Sequence, residues 1–322
     1  MSYLMRVQNL SVYYSKIRVL NNINLDVIQG ETIALVGESG CGKTTLANVI
    51  LRTLPEIAYV DNNSKVLYKL GNNYVEILHL PHMLFRTQIR WKEISMVPQS
   101  ALNALNPTIK IRDHFIETAK AHGFSDKGEV LERARFLLES VKLDADRVLN
   151  MYPIELSGGM KQRTLIALAL FLNPKFVILD EPTTALDVLT QREIILLLKD
   201  LKNKMGLTYM LITHDIALVA DIADRVAVMY AGRLCEISDV HSIFYSPKHP
   251  YTQMLLASVP KLGEFKEPPD FVGVSIDYRR LPYGCKFHPR CPFAMDICRR
   301  EEPPLVEVEK NRFVACWLYA KR

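Results

Sequence analysis

The feature that most constrains this chain is a change of texture at residue 37. An apolar run, Ile33 to Val36, leads without a linker into Gly37-Glu38-Ser39-Gly40-Cys41-Gly42-Lys43-Thr44, and residues 43 to 53 then carry a helical pattern. A buried strand, a glycine-rich loop and a helix in immediate succession fit the pattern G-x-x-x-x-G-K-[ST]. The glycines let backbone N–H groups converge, and the helix N-terminus adds positive potential, so the loop is a cradle for phosphate. The expected nucleotide-binding set here is Gly37, Ser39, Gly40, Cys41, Gly42, Lys43, Thr44 and Thr45. Lys43 reaches the outer phosphates and the Thr44 hydroxyl ligates Mg²⁺.

A second apolar run, Phe176-Val177-Ile178-Leu179, ends in Asp180-Glu181. Asp180 at the end of a buried strand suits Mg²⁺, and Glu181 is the candidate general base for an attacking water. Leu207 to Ile212 reads as another buried strand, with amphipathic helices at 188 to 204 and, more apolar, at 160 to 172. Alternation of strand and helix argues for a parallel α/β core, here that of a P-loop NTPase. Before it, Met5 to Val7, Ile23 to Val27 and Thr32 to Val36 read as short strands separated by turn residues such as Asn21-Asn22 and Gly30. Asn62-Asn63 and Gly71-Asn72-Asn73 look like hairpin turns, and residues 113 to 143 look helical.

Leu156-Ser157-Gly158-Gly159-Met160-Lys161-Gln162-Arg163 narrows the class. A hydroxyl and two bare glycine amides at a helix start make a second anion site, which one nucleotide does not need. The simple resolution is that it serves a nucleotide held by a neighbouring subunit. With this stretch in place, residues 1 to about 240 resemble the ATP-binding cassette family, in which two cassettes face head to tail around two ATPs. The resemblance implies an antiparallel β subdomain, a helical subdomain at about 100–157, and a role for Ser157, Gly158, Gly159 and Gln162 on the partner's nucleotide. It further implies that Gln99, in Met96-Val97-Pro98-Gln99, contacts Mg²⁺ and the attacking water. Asp187, in Ala185-Leu186-Asp187, belongs to the loop linking the two sites, and His214 contacts the γ-phosphate. Tyr14, 23 residues before Gly37, would stack on adenine, with adjacent Tyr13 as the alternative.

After residue 240 prolines at 247, 250, 260, 268, 269, 282, 289, 292, 303 and 304 break up the pattern, so 241–322 reads as a loop-rich extension. Cys285, Cys291, Cys298 and Cys316 fall there, four of the six cysteines of the chain. In a reducing compartment such a cluster reads as metal binding by soft ligands. Cys41 and Cys235 read as small packing residues, and His288 as a loop residue that could substitute as a ligand. His249-Pro250-Tyr251-Thr252, the Cys-x₅-Cys-Pro core and the Gln99-x₅-Leu105-Asn106-Pro107 stretch resemble dipeptide and oligopeptide importer ATPases. That resemblance implies a [4Fe–4S] cluster on the four cysteines, with Zn²⁺ as the alternative.

No run approaches the about 18–20 apolar residues of a membrane span. The N-terminus lacks a signal-peptide layout. The net charge of +5 is mild and includes no long basic run, so nucleic acid is not an expected partner. The expectation is an ATPase at the cytoplasmic face of a membrane, working with two permease subunits, a second related ATPase and an external solute-binding protein. Import of an oligosaccharide or nickel by the same machine is the nearest alternative. A soluble ATPase of DNA repair or translation is disfavoured by the lone cassette and the absence of a long heptad run. A vestigial cassette is disfavoured by an intact Glu181 and His214.

Overall fold

The computed structural model describes residues 2–99, 104–257 and 277–320. Residues 100–103, at the expected entry to the helical subdomain, and the prolines at 260, 268 and 269 lie outside the described residues. The elements in chain order are β1 (Tyr3–Tyr14), β2 (Ile17–Ile28), β3 (Thr32–Val36), α1 (Lys43–Ile50), β4 (Ala58–Val60), β5 (Lys65–Leu70), β6 (Asn73–Glu76), α2 (His82–Leu84), β7 (Ile94–Val97), α3 (Ile111–Ala121), α4 (Lys127–Ser140), α5 (Ala145–Asn150), α6 (Gly158–Ala169), β8 (Phe176–Asp180), α7 (Val188–Met205), β9 (Thr208–Thr213), α8 (Ile216–Ile222), β10 (Arg225–Tyr230), β11 (Arg233–Asp239), α9 (Val240–Tyr245), α10 (Pro250–Ala257), α11 (Asp296–Arg300), β12 (Val306–Glu309) and β13 (Arg312–Val314). They form two compact units, Met1–His79 with Ile212–Arg322, and Leu80–Leu211.

In the first unit β1 and β2 are far longer than the short runs read from the sequence, and pair antiparallel along their whole length. Asn21-Asn22, read as a turn, is a bulge inside the ladder, whereas Gly30, at φ 83°, does turn β2 into β3. Asn9 and Asn22 adopt φ of 50° and 52°, and the register shifts between Leu10 and Val12. Their backbone N–H groups are satisfied by side chains: Asn22 donates to Ser11 Oγ at 3.0 Å and Asn9 to Asn24 Oδ1 at 3.0 Å. Extra residues in one strand are the ordinary use of a bulge.

The turn at Gly71 joins β5 to β6 as expected, with Leu70 opposite Asn73 and Gly71 at φ 62°. Asn62-Asn63 behaves differently. Its flanking strands both pair with β1, β5 at Met5–Gln8 and β4 at Val12–Tyr14, rather than with each other. A twelve-residue strand has edge enough for two short partners.

The apolar strand β3 pairs parallel with β10, which turns back into β11. The C-terminal extension joins this sheet: β13 pairs with β11 and β12 with β13. Prolines keep its elements short, yet it is anchored by a buried pair, Arg312 to Glu236 at 3.1 Å, with 5% and 0% of the side chains exposed. Glu236 also accepts the backbone N–H groups of Lys248 and His249. A buried charge is tolerated only when paired and hydrogen-bonded in this way.

In the second unit β7 and β8 pair parallel, Ile94 opposite Phe176 through Val97 opposite Leu179. Helices α4, α5, α6 and α7 each begin at a polar cap, Asp126, Asp144, Ser157 and Asp187, whose side chain accepts a backbone N–H of the first turn. Caps of this kind contribute about 1 kcal/mol each. Phe115 of α3 packs edge-on against Phe171 at 5.6 Å, and Phe115 is fully buried. Burying such a ring is worth about 1.5–3 kcal/mol. Among the described residues no helix is long and apolar enough to cross a membrane.

Candidate functional site

The phosphate loop follows β3, all five of whose residues are buried. Its glycines are dictated by space and backbone. Gly37 has φ 149°, and a Cβ there would lie 2.2 Å from the Met229 carbonyl oxygen. Gly42 has φ 105° and forms the left-handed entry to α1, with no side chain capping the helix. The first amides of α1 are therefore left without a side-chain acceptor, as an anion site requires. Lys43 is buried, and its ammonium donates to the Gly37 carbonyl at 2.7 Å and the Glu38 carbonyl at 3.0 Å. Ser39, Gly40 and Thr44 are exposed and Thr45 half-buried. Cys41 is buried as expected of a packing residue, and desolvation pushes its thiol up. His214 stands exposed immediately after β9, where Asp215 caps α8.

The two tyrosines offered for adenine are separated by their neighbours. The Tyr13 ring stacks on Tyr59 of β4, centroids 4.9 Å apart and planes 6° from parallel. The Arg18 guanidinium also lies over the Tyr13 ring. Tyr14 follows it on the strand, half-buried, and alternation turns it to the other face.

In the second unit parallel pairing of β7 with β8 carries Gln99 and Glu181 past the ends of adjacent strands. Gln99 Nε2 donates to Glu181 Oε2 at 3.0 Å, and the Thr184 hydroxyl donates to the same oxygen at 2.9 Å. Glu181 has φ 48°, a strained conformation for a non-glycine residue and one common where side chains must be aimed. Asp180 is 1% exposed. Ser157 caps α6 by accepting from Met160 N–H at 3.3 Å, and Gln162 is buried one turn on. A Cβ on Gly159 would come within 2.9 Å of the Thr190 methyl. Asp187 caps α7, accepting from the Thr190 backbone and hydroxyl, and these bonds lower its pKa.

The profile described as ABC transporter matches residues 20–184, more than half of the chain. The dipeptide transport ATP-binding protein DppD of Caldanaerobacter subterraneus subsp. tengcongensis is 43% identical, covering 99% of this chain and 98% of its own length. The chain belongs to the ABC transporter family. Within it, the chain is an ATPase. The oligopeptide transport ATP-binding protein OppD of Escherichia coli is 40% identical over 98% of this chain and 93% of its own. A second profile, the oligopeptide/dipeptide transporter C-terminal region, matches residues 235–298. Among solved structures, cbiO1 of Clostridium perfringens, part of the ABC transporter complex cbiONQ, superposes with a TM-score of 0.65 at 27% identity, over 76% of this chain and 92% of that one. The ATP-binding cassette MJ0796, in a post-hydrolysis dimer with ADP and Pi, gives 0.61 at 29%, over 73% and 98%.

The cysteines of the extension are all free thiols, and so are Cys41 and Cys235. Cys285 donates its backbone N–H to the Cys298 carbonyl at 2.8 Å, and Gly284, at φ 64°, permits that approach. Burial pushes the Cys285 and Cys316 thiols up to about 11, with the charges of Cys291 and Cys298 adding to each shift. Among the described residues, no three His, Cys, Asp or Glu side chains converge tightly enough to hold a single metal ion. His288 holds its Nδ1 against the Cys285 carbonyl at 2.9 Å.

Sequence reasoning passed over Glu38, Thr184, Tyr251 and Arg290. His249-Pro250-Tyr251 was singled out only as a resemblance. Its chemistry is local: Tyr251 N–H donates to His249 Nδ1 at 3.0 Å, and the Tyr251 hydroxyl accepts from Glu38 N–H at 2.9 Å. A motif of buried His and Tyr in a proline-rich tail was the available signal.

Proposed function

We propose that this chain is the ATP-hydrolysing subunit that powers import of di- and oligopeptides through a membrane permease. The observation that carries the catalytic half is the Gln99–Glu181 hydrogen bond at the ends of paired strands. It sets a carboxylate beside an amide that can share the same water, the arrangement a general base needs. The peptide half is supported by the C-terminal match and by relatives similar along almost their whole length. These relatives favour peptides over an oligosaccharide or nickel.

In this reading the loop from Gly37 to Thr45 holds the phosphates of ATP, with Lys43 releasing its loop carbonyls to reach them. Tyr14 stacks on adenine, since Tyr13 is already engaged by Tyr59. Thr44, Asp180 and Gln99 are hard oxygen donors of the type Mg²⁺ requires, and the ion would neutralise phosphate charge. Glu181 takes the proton of the attacking water and His214 contacts the γ-phosphate. Ser157, Gly158, Gly159 and Gln162 serve the nucleotide of a second, related ATPase subunit, and Asp187 links the two sites. ATP closes the pair and hydrolysis reopens it, because only nucleotide-dependent affinity differences can drive a partner's change. The remaining partners are two permease subunits and an external solute-binding protein, with this chain peripheral on the cytoplasmic face of the membrane.

Glu181→Gln is expected to lower ATP turnover by about 10² to 10⁴-fold while MgATP still binds. In cells relying on this chain, the same variant should abolish di- and oligopeptide uptake. Near-normal turnover overturns the base assignment. Loss of sugar or nickel uptake with peptide uptake intact overturns the substrate class.

For the four tail thiols, soft ligands by their chemistry, the proposal is a [4Fe–4S] cluster, with Zn²⁺ as the alternative. Cys285, Cys291, Cys298 and Cys316 would hold a [4Fe–4S] cluster by Fe–S bonds. Anaerobic purification should return about four iron and four sulfide per chain. Stoichiometric zinc without iron reverses the assignment.

A further inference from the structure

The second residue of the phosphate loop is an acid, an unexpected choice beside a polyanionic ligand. Every polar group of Glu38 is held. Its carboxylate receives a bidentate fork from Arg290, NH1 to Oε2 at 3.0 Å and NH2 to Oε1 at 2.9 Å. Its backbone N–H donates to the Tyr251 hydroxyl at 2.9 Å, and its carbonyl accepts from Lys43 at 3.0 Å. Two of these three holds come from the C-terminal extension, more than 200 residues away in sequence.

The holding groups are themselves rigidly set. Tyr251 is fully buried, in a cluster with Tyr230 and Phe287. The ring centroids lie 4.6 Å apart for Tyr230 and Tyr251, and 5.4 Å for Tyr251 and Phe287. The Arg290 side chain is 11% exposed, and its guanidinium lies over the Tyr230 and Phe287 rings. A guanidinium stacked on aromatic faces and forked onto a carboxylate is pre-organised, so it loses little freedom in binding.

We propose that Arg290 and Tyr251 are positioning residues for the nucleotide site: the extension neutralises Glu38 and fixes its backbone, so that the loop can accept the phosphates of ATP. Without Arg290 the carboxylate stands uncompensated near the phosphates, and like charges in a partly desolvated site repel strongly. Without the Tyr251 hydroxyl the loop loses a backbone anchor. This inference rests on the assignment of residues 37–45 to ATP.

The test is MgATP affinity of the full chain, with adenosine as a phosphate-free probe and thermal unfolding as a check on the fold. Arg290→Met is expected to weaken MgATP binding about tenfold, and Tyr251→Phe about threefold. Adenosine binding should be unchanged in both. The decisive arm is Glu38→Gln added to Arg290→Met. Removing the uncompensated charge should bring MgATP affinity back to within about twofold of the parent. If Arg290→Met binds MgATP as the parent does, or Glu38→Gln fails to restore it, the positioning role is overturned. Should Arg290→Met unfold, unchanged MgATP affinity in well-folded Tyr251→Phe overturns it instead. A parent chain that binds no MgATP overturns the nucleotide assignment itself.

Discussion

Two helix N-termini of the chain are proposed to meet anions, and they are finished in opposite ways. The N-terminus of α1 has a glycine at its cap and no side chain on its first amides. Its loop is held from outside, by Arg290 and Tyr251 gripping Glu38. The N-terminus of α6 closes on itself, with the Ser157 hydroxyl taking the Met160 N–H. The first is an uncapped loop stabilised at long range. The second is a self-sufficient cap that must exchange a local partner for a ligand. A loop that binds tightly needs support that does not compete with its ligand, and tertiary contacts supply it.

The largest expected effect falls on the α1 side. Gly37→Ala puts a methyl against the Met229 carbonyl at 2.2 Å, and backbone cannot step aside. A loss of about 3 kcal/mol in stability, together with loss of MgATP binding, is expected in thermal melts and nucleotide titrations. Normal binding by this variant would show that the loop is slack, and the contrast with α6 would fail.

Next comes the outside support, through pH. His249 is buried, and desolvation holds its imidazole down to about 4, the Ala315 carbonyl opposing. In the unfolded chain it titrates near 6.5, so the unfolded chain binds more protons in between. Stability should therefore be unaffected above about pH 6.5, fall as pH drops through the window, and level off below about 4. By pH 5 the loss is about 2 kcal/mol. Denaturant midpoints across pH 4 to 7 measure it, and His249→Asn should flatten that window.

The smallest effect on stability belongs to the self-closed end. Ser157→Ala should cost about 1 kcal/mol, the value of a helix cap. Its sharper signature is functional: MgATP affinity of the isolated chain unchanged, ATP turnover of the assembled pair reduced. If both helix N-termini responded alike in MgATP binding, the distinction between them would be lost.

How much was legible follows from where the physics is local. The glycine spacing and the apolar strands β3 and β8 are set by residues within a few positions of one another. The bulge at Asn21-Asn22 was misread as a turn because an asparagine with positive φ looks the same in both until a partner strand is known. Tyr13 and Tyr14 could not be told apart for a similar reason, since only Tyr59 across the ladder occupies one of them.

The sequence by itself determined the phosphate loop, the acidic pair at the end of β8 and the family to which they belong, because backbone conformation and strand burial depend on near neighbours. Tertiary structure alone decided that Gln99 meets Glu181 and that the proline-rich tail grips the phosphate loop. The partners in those contacts lie 82 and 252 residues apart, and no periodicity spans such distances. Strand pairing and a buried aromatic cluster bring them together, and these exist only once the chain has folded.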